Sequence, residues 1–414
     1  MSPTPKKIEL LAPAGTPEKL EIAVHYGADA VYLAGRNFSL RNFSANFSLE
    51  EMQAARRLTR EKNVKMYVAV NIYSRNHESE AIADYLASLA PIAPDALIVA
   101  DPAIFMQARK QLPHVPLHVS TQANTTNTGT ARFWKDLGAS RVNAARELSL
   151  VEISRMAAES GIEVEAFVHG AMCMAYSGRC LLSGYMKNRE SNRGMCCHPC
   201  RFRYTVMEET RPGQYFPIDE DDRGAYIFNA RDLCMVAHLP EMLRAGIHSL
   251  KIEGRMKSMH YLAGVVKVYR EAIDACYRDL EAWQVLPRWL TELAAISHRG
   301  YCTGFYFGDP AQTDANLDNL VHPGYQFAGK VVGPAPHGGA RVLVKNKIKA
   351  GDVVDVLTPS GPTRPDRIQK IADDYGLPQP LAQPGATVIV HLKTQPQRLD
   401  LIRCPADEPP REIP

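Results

Sequence analysis

The 414-residue chain has 45% hydrophobic and 22% charged residues, the proportions of an ordinary globular protein, and is long enough for two or three domains or for one large barrel with a smaller module. Its formal net charge of +3 does not by itself imply a nucleic-acid partner, and no apolar stretch reaches the 18 residues at which a membrane span becomes a candidate. The opening "MSPTPKKIELLAPAG" holds no apolar run of signal-peptide length, so the expected compartment is the reducing cytoplasm, where cysteines stay as thiols, bind metal or do chemistry rather than form a disulfide framework.

In chain order, short apolar runs occupy residues 7–15, 29–35, 65–71, 95–101, 117–124, 141–149, 164–170 and 249–255. Their length and continuous apolar character are those of parallel strands buried on both faces. Helical stretches separate them. One runs from the cap at Thr16 to Gly27, and another closes at Gly161. Eight such units predict an α/β fold, a (β/α)8 TIM-barrel-like domain over residues 1–320, with a doubly wound open sheet as the competing topology. From residue 321 to 405, β-branched runs broken by Gly, Pro and Asp predict a small C-terminal antiparallel β-barrel, followed by a tail at 406–414.

The barrel expectation locates chemistry. Active sites of such barrels lie at the C-terminal mouth of the strands. Several runs end there in polar residues: Asn71, Asp101, Gln122, Asn124, Arg146, Glu147, His169, Glu253 and Arg255. Each alone reads more simply as a cap or a loop hydrogen bond; together they predict a polar mouth. Arg146, Glu147, His169, Glu253 and Arg255 are the candidate catalytic residues.

The segment 169–204 follows the seventh run and carries five of the nine cysteines, Cys173, Cys180, Cys196, Cys197 and Cys200. Structural zinc usually takes two tight pairs, and only Cys196 and Cys200 approach that spacing. On a helix, Cys173 and Cys180 would lie roughly 10 Å apart, too far for the short bonds of one zinc ion but tolerable for a cubane whose ligands bind separate irons. Spacing alone leaves an iron–sulfur cluster, zinc and metal-free thiols all open. Lys187, Arg189, Arg193, Arg201 and Arg203 interleave here with Tyr185, Phe202 and Tyr204, a pattern that suits phosphates and unpaired bases and equally describes a solvated basic loop. Residues 35–43, "GRNFSLRNF", and the lysines Lys345, Lys347 and Lys349 are further basic candidates. Neither a zincin motif nor a nucleophile elbow occurs, while Cys173 with His169 remains a thiol–imidazole pair on paper.

The stretches "ELLAPAG", "YGADAVYLAG", "HVSTQAN", "RELSLVEI", "FVHGAMCMAYSGRCLLSGY", "SLKIEGRMKS" and "HRGYCTGF" resemble the collagenase-like peptidase family, peptidase family U-32, and within it the tRNA hydroxylation protein P branch. The resemblance runs from about residue 8 to near residue 400. It implies a [4Fe–4S] site on Cys173, Cys180, Cys196 and Cys200, with Cys197 standing where relatives commonly have another residue and leaving the third ligand uncertain by one position. It implies oxygen-independent, prephenate-dependent 5-hydroxylation of the wobble uridine in the tRNA anticodon loop, with prephenate as co-substrate and room for an electron donor or iron–sulfur assembly proteins as partners. Sister branches make hydroxylation of ribosomal RNA cytidine or of a ubiquinone precursor the alternatives, together with a peptidase. The stretch between Tyr204 and "NARDL" is shorter than this branch often carries.

Overall fold

The computed structural model describes residues 7–39, 46–173, 175–201, 220–221, 224–225, 231–308, 324–335 and 339–406, with 201 and 220–225 given by backbone alone. All eight expected runs are strands: β1 (Glu9–Pro13), β2 (Ala30–Leu33), β3 (Lys65–Val70), β4 (Ala96–Val99), β5 (Leu117–Val119), β6 (Arg141–Asn143), β7 (Glu163–Ala171) and, after the short hairpin of β8 (Glu220–Asp221) with β9 (Gly224–Ala225) and strand β10 (Asp232–Cys234), β11 (Ser249–Ile252). Each of the first seven pairs in parallel with its successor, and β11 pairs in parallel with both β7 and β1. That last pairing closes the ring and decides against the open sheet.

Six of the helices start where a side-chain oxygen satisfies one of the first free backbone N–H groups. Thr16 caps α1 (Pro17–His25), while Ser48 and Ser149 form capping boxes with Glu51 and Glu152 at α2 (Leu49–Glu61) and α6 (Leu150–Glu159). Between them lie α3 (Ser79–Leu89), α4 (Pro102–Gln111) and α5 (Thr128–Asp136). The cysteine segment itself holds α7 (Leu182–Lys187), and after it come α8 (Leu239–Arg244), the 20-residue α9 (Met259–Arg278) and α10 (Pro287–Ala294). Strand alternation splits the barrel into two layers. Val31, Leu33, Val68, Val99, Val164 and Ile252 join the sheet–helix core, whereas Ala30, Tyr32, Tyr67, Ala69, Ala96 and Ile98 form a separate inner cluster.

The inner layer is also charged. Glu9, Arg141, Glu165, Ser249 and Lys251 are all buried, and their side chains form one network. Arg141 meets Glu9 at 2.6 Å, Glu163 at 2.7 Å and Glu165 at 3.4 Å; Lys251 meets Glu165 at 2.8 Å, and Lys65 meets Glu9 at 2.9 Å. Burial pushes the Glu9 carboxyl up, but Arg141 and Lys65 outweigh it and bring it to about 2.

Strand β7 outruns the ring, and β10 pairs antiparallel with its end, with β12 (Tyr301–Cys302) parallel to β10. The chain then enters a second sheet: β13 (Tyr325–Pro334), β14 (Ala340–Val344), β16 (Val353–Leu357), β17 (Arg364–Arg367), β18 (Lys370–Ala372), β19 (Pro378–Gln379), β21 (Thr387–His391) and β22 (Leu401–Pro405), with the small ladder β15 (Ile348–Lys349) and β20 (Leu381–Ala382). All its pairings are antiparallel, and it curls around its own core of Val331, Val342, Val354, Ile371 and Val390. Leu357, Leu399 and Leu401 pack instead into the barrel's core, and Arg403 meets Glu292 of α10 at 2.6 Å and 3.1 Å. Lys345 lies 3.7 Å from Glu18 of α1, so this lysine serves the contact between the two sheets. From 407 on, the expected tail lies outside the described residues. Among the described residues no helix is long and apolar enough to cross a membrane.

Candidate active site at the barrel mouth

A cavity of about 240 Å³ opens at the C-terminal ends of the strands. Cys173, Cys180, Cys196 and Cys200 all line it. They face Arg146, Lys251, Glu253, Arg255 and Lys257 across the mouth, four cationic side chains against one carboxylate. Cys197 is not part of the lining; its Sγ sits 3.3 Å from Ser183 Oγ at the start of α7. No disulfide joins any of the nine cysteines. Among the described residues, no three His, Cys, Asp or Glu side chains gather around a position for a single metal ion.

Loops after three strands sew the cysteine segment to the barrel. Glu147, following β6, accepts hydrogen bonds from Ser177 N at 2.7 Å and Ser177 Oγ at 3.1 Å. Gly178 has φ +71, and a Cβ there would collide with the carbonyl oxygen of Gln122 after β5, so glycine alone permits this approach. Tyr73, after β3, donates from its hydroxyl to that same carbonyl, accepts from Arg179 at 3.0 Å, and donates its backbone N–H to Asn192 O at 3.2 Å. Arg193 donates to Tyr73 O at 2.7 Å and clasps Glu78 through two bonds of 2.9 Å and 2.7 Å. A bidentate, charge-assisted clasp of this kind fixes geometry as well as adding energy. These contacts set the positions of Cys173 to Cys200 before any ligand arrives.

Three of the five candidate catalytic residues reach the cavity and two do not. Arg146 lies over the Phe167 ring at 3.8 Å, Tyr32 Oη approaches Glu253 at 3.5 Å, and the buried Arg255 donates to Ser39 at 3.3 Å. Glu147 is turned to Ser177 and positions the cysteine loop. His169 is a correction of the expected placement. Phe167 pairs with Lys251 and His169 pairs with Ile252, so one extra residue bulges β7. The extra residue swaps faces, and His169 follows Ile252 outward into a cage of Tyr261, Tyr269 and Tyr301. Complete burial, with Lys257 and His298 nearby, holds its imidazole down at about 3.

That placement has a measurable consequence. The unfolded chain binds a proton on this histidine near the ordinary 6.5, whereas the folded chain refuses it until about 3. The unfolded state therefore holds more protons within that window, and stability present above pH 6.5 is lost as the pH falls through it. His169→Phe should flatten the fall of the urea-unfolding midpoint between about pH 7 and about pH 4.5. An unchanged slope would mean that the imidazole is not buried neutral.

Several site residues carried no signal in the sequence. Lys251 and Tyr32 lie in the middle of apolar strands and reach the cavity because they point inward. Lys257 Nζ donates to Ser297 O at 3.3 Å and lies 3.8 Å from Asp232 Oδ2. Of the basic and aromatic candidates, Arg193 is committed to Glu78 and Tyr73, whereas Tyr185 is 91% exposed; Tyr176, which the sequence did not single out, lines the cavity and is 63% exposed. Phe202, Arg203, Tyr204 and residues 40–45 lie outside the described residues.

Comparison with known proteins agrees with this architecture. Residues 15–316 match the model for peptidase family U32, and residues 323–403 match the family's C-terminal domain. The chain is 40% identical over 373 residues to tRNA hydroxylation protein P1 of Bacillus subtilis, covering 90% of this chain and 88% of that protein. It is 37% identical over 438 residues to tRNA hydroxylation protein P of Escherichia coli, covering 95% of each. A collagenase of Porphyromonas gingivalis is 32% identical over 312 residues, covering 72% of this chain and 73% of that protein. With its barrel and its second sheet both matched, the chain belongs to peptidase family U32.

Proposed function

We propose that this chain is a cytoplasmic iron–sulfur enzyme of tRNA modification, acting in oxygen-independent, prephenate-dependent 5-hydroxylation of the wobble uridine. The observation that carries the reading is the convergence of Cys173, Cys180, Cys196 and Cys200 on one cation-rich cavity at the barrel mouth. The names of the relatives from Bacillus subtilis and Escherichia coli support tRNA as the substrate.

The donor set fits a [4Fe–4S] cluster. Four cysteines line a single cavity, and a cubane takes one thiolate per iron, so its ligands need not crowd around one point as those of a zinc ion do. When bound, the cluster supplies one-electron chemistry, with electrons brought by a separate donor protein.

The chain's own side chains do the binding. Arg146, its face on Phe167, keeps the N–H edge of its guanidinium for a carboxylate of the small acid. The exposed rings of Tyr176 and Tyr185 offer faces for unpaired bases, and Arg179, Lys187 and Arg189 beside them can follow the phosphates. The target base leaves its stack to enter the mouth, as chemistry on a nucleobase requires. A thiol peptidase would need a base beside Cys173, and the expected partner His169 is shut away among tyrosines.

Nucleoside mass spectrometry tests the reading. In a strain lacking the gene, grown without oxygen, hydroxyuridine-derived wobble nucleosides should disappear from tRNA and return with the wild-type gene. Loss confined to hydroxycytidine of ribosomal RNA would move the substrate; unchanged tRNA and ribosomal RNA would refute RNA hydroxylation.

A further inference from the structure

The cavity carries more positive charge than its reading so far uses. Inside the barrel, Glu9, Glu163 and Glu165 meet three cations, Lys65, Arg141 and Lys251, so that layer is balanced by itself. Arg146 stands outside this balance, and among the described residues no carboxylate lies within ion-pair distance of it.

Lys251 belongs to both regions. Its Nζ donates to Glu165 Oε1 at 2.8 Å, and it lies 4.6 Å from the centre of the Tyr32 ring and 5.7 Å from that of Phe167. Glu165 is itself shared with Asn143 at 2.9 Å and Arg141 at 3.4 Å. An ammonium has three N–H donors, and only one of them is committed to Glu165. Lys251 lines the cavity with donors left over.

Arg146 and Lys251 both address Phe167, at 3.8 Å and 5.7 Å from its ring centre, so they are separated by no more than the sum of those distances. Both side chains line the same cavity as the four cysteines. The same cavity is lined by the apolar and aromatic side chains of Tyr32, Ala69, Ile98 and Phe167.

We infer that Arg146 and Lys251 are the two poles of an anion subsite that selects small organic diacids over monoacids, Lys251 reading the second carboxylate. Glu165 positions the ammonium without touching the ligand. The inference rests on the reading that the cavity takes a small organic acid.

Calorimetric titration of the anaerobically purified full chain with prephenate, a diacid, and phenylpyruvate, a monoacid with a similar ring and keto-acid arm, tests it. Wild type should bind the diacid at least about tenfold more tightly, as expected for one charge-assisted hydrogen-bonding group. Lys251→Met should remove most of that preference and leave monoacid affinity near wild type, whereas Arg146→Met should weaken both acids. Because Lys251→Met leaves Glu165 short of a partner, the double variant Lys251→Met/Glu165→Gln, neutral at both positions, should show the same loss of preference. If both Lys251 variants keep the wild-type preference, the second pole is refuted while the small-acid reading stands. If wild type binds neither acid, the small-acid reading falls and the subsite with it.

Discussion

Alanine in place of Cys180 will leave the purified chain without brown colour, without iron and acid-labile sulfide, and without wobble-uridine hydroxylation, while alanine in place of Cys197 will leave all three close to wild type. The two cysteines sit in the same segment, and their environments separate them. Cys180 lines the cavity with Cys173, Cys196 and Cys200, and its carbonyl is held by Asn192 at 3.3 Å. Cys197 turns its thiol to Ser183, which returns a contact to Cys197 N at 3.3 Å. Removing a direct ligand should cost more than the roughly 10–100-fold that follows loss of an outer partner. Cys196→Ala should behave as Cys180→Ala does, which resolves the one-position uncertainty left by the doubled cysteine. Iron and sulfide analysis after anaerobic purification, with nucleoside mass spectrometry of complemented strains, reads all three variants. Colour and iron kept by Cys180→Ala, or lost from Cys197→Ala, would overturn the ligand assignment.

The second large effect concerns the barrel's interior. Arg141→Met removes the cation shared by Glu9, Glu163 and Glu165, with a residue of similar length and no charge. Breaking a buried ion pair from one side costs about 3–5 kcal/mol, because the stranded carboxylates keep their desolvation penalty. The urea-unfolding midpoint should fall accordingly, followed through Trp134, Trp283 and Trp289. The pH dependence supplies a signature. In the wild type Glu9 is held down at about 2 against an ordinary 4.5, so its stabilising contribution is present above 4.5 and lost as the pH falls toward 2. In the variant, burial acts with one counter-charge fewer and the carboxyl protonates at higher pH. The gap between the two proteins should therefore be widest near neutrality and narrow in acid. A gap constant with pH would mean that the loss comes from packing alone. The same network holds Glu165 and, through it, Lys251, so Arg141→Met should also weaken the preference for diacids.

Much of this molecule is written in local sequence. Apolar runs of strand length, separated by capped helices, determine the order of the eight barrel strands, because each strand is buried on both faces and reads as a continuous apolar word. The β-branched texture after residue 321 determines the second sheet in the same way. The five cysteines are conspicuous because they crowd into one short segment, and the polar residues closing the runs mark the mouth. Only the tertiary structure decided the rest. His169 reads as a mouth residue until a one-residue bulge reverses its face. Cys196 and Cys197 are adjacent in sequence, and only the packing of α7 determines which thiol faces the cavity. Lys251, Glu165 and Arg141 look like stray charges on short strands; closing the ring brings β1, β6, β7 and β11 together and makes them one network. Composition and periodicity record what each residue does with its chain neighbours. Contacts between residues such as Lys251 and Glu165, 86 positions apart, exist only once the barrel is closed, and there the charge of one residue determines the state of the next.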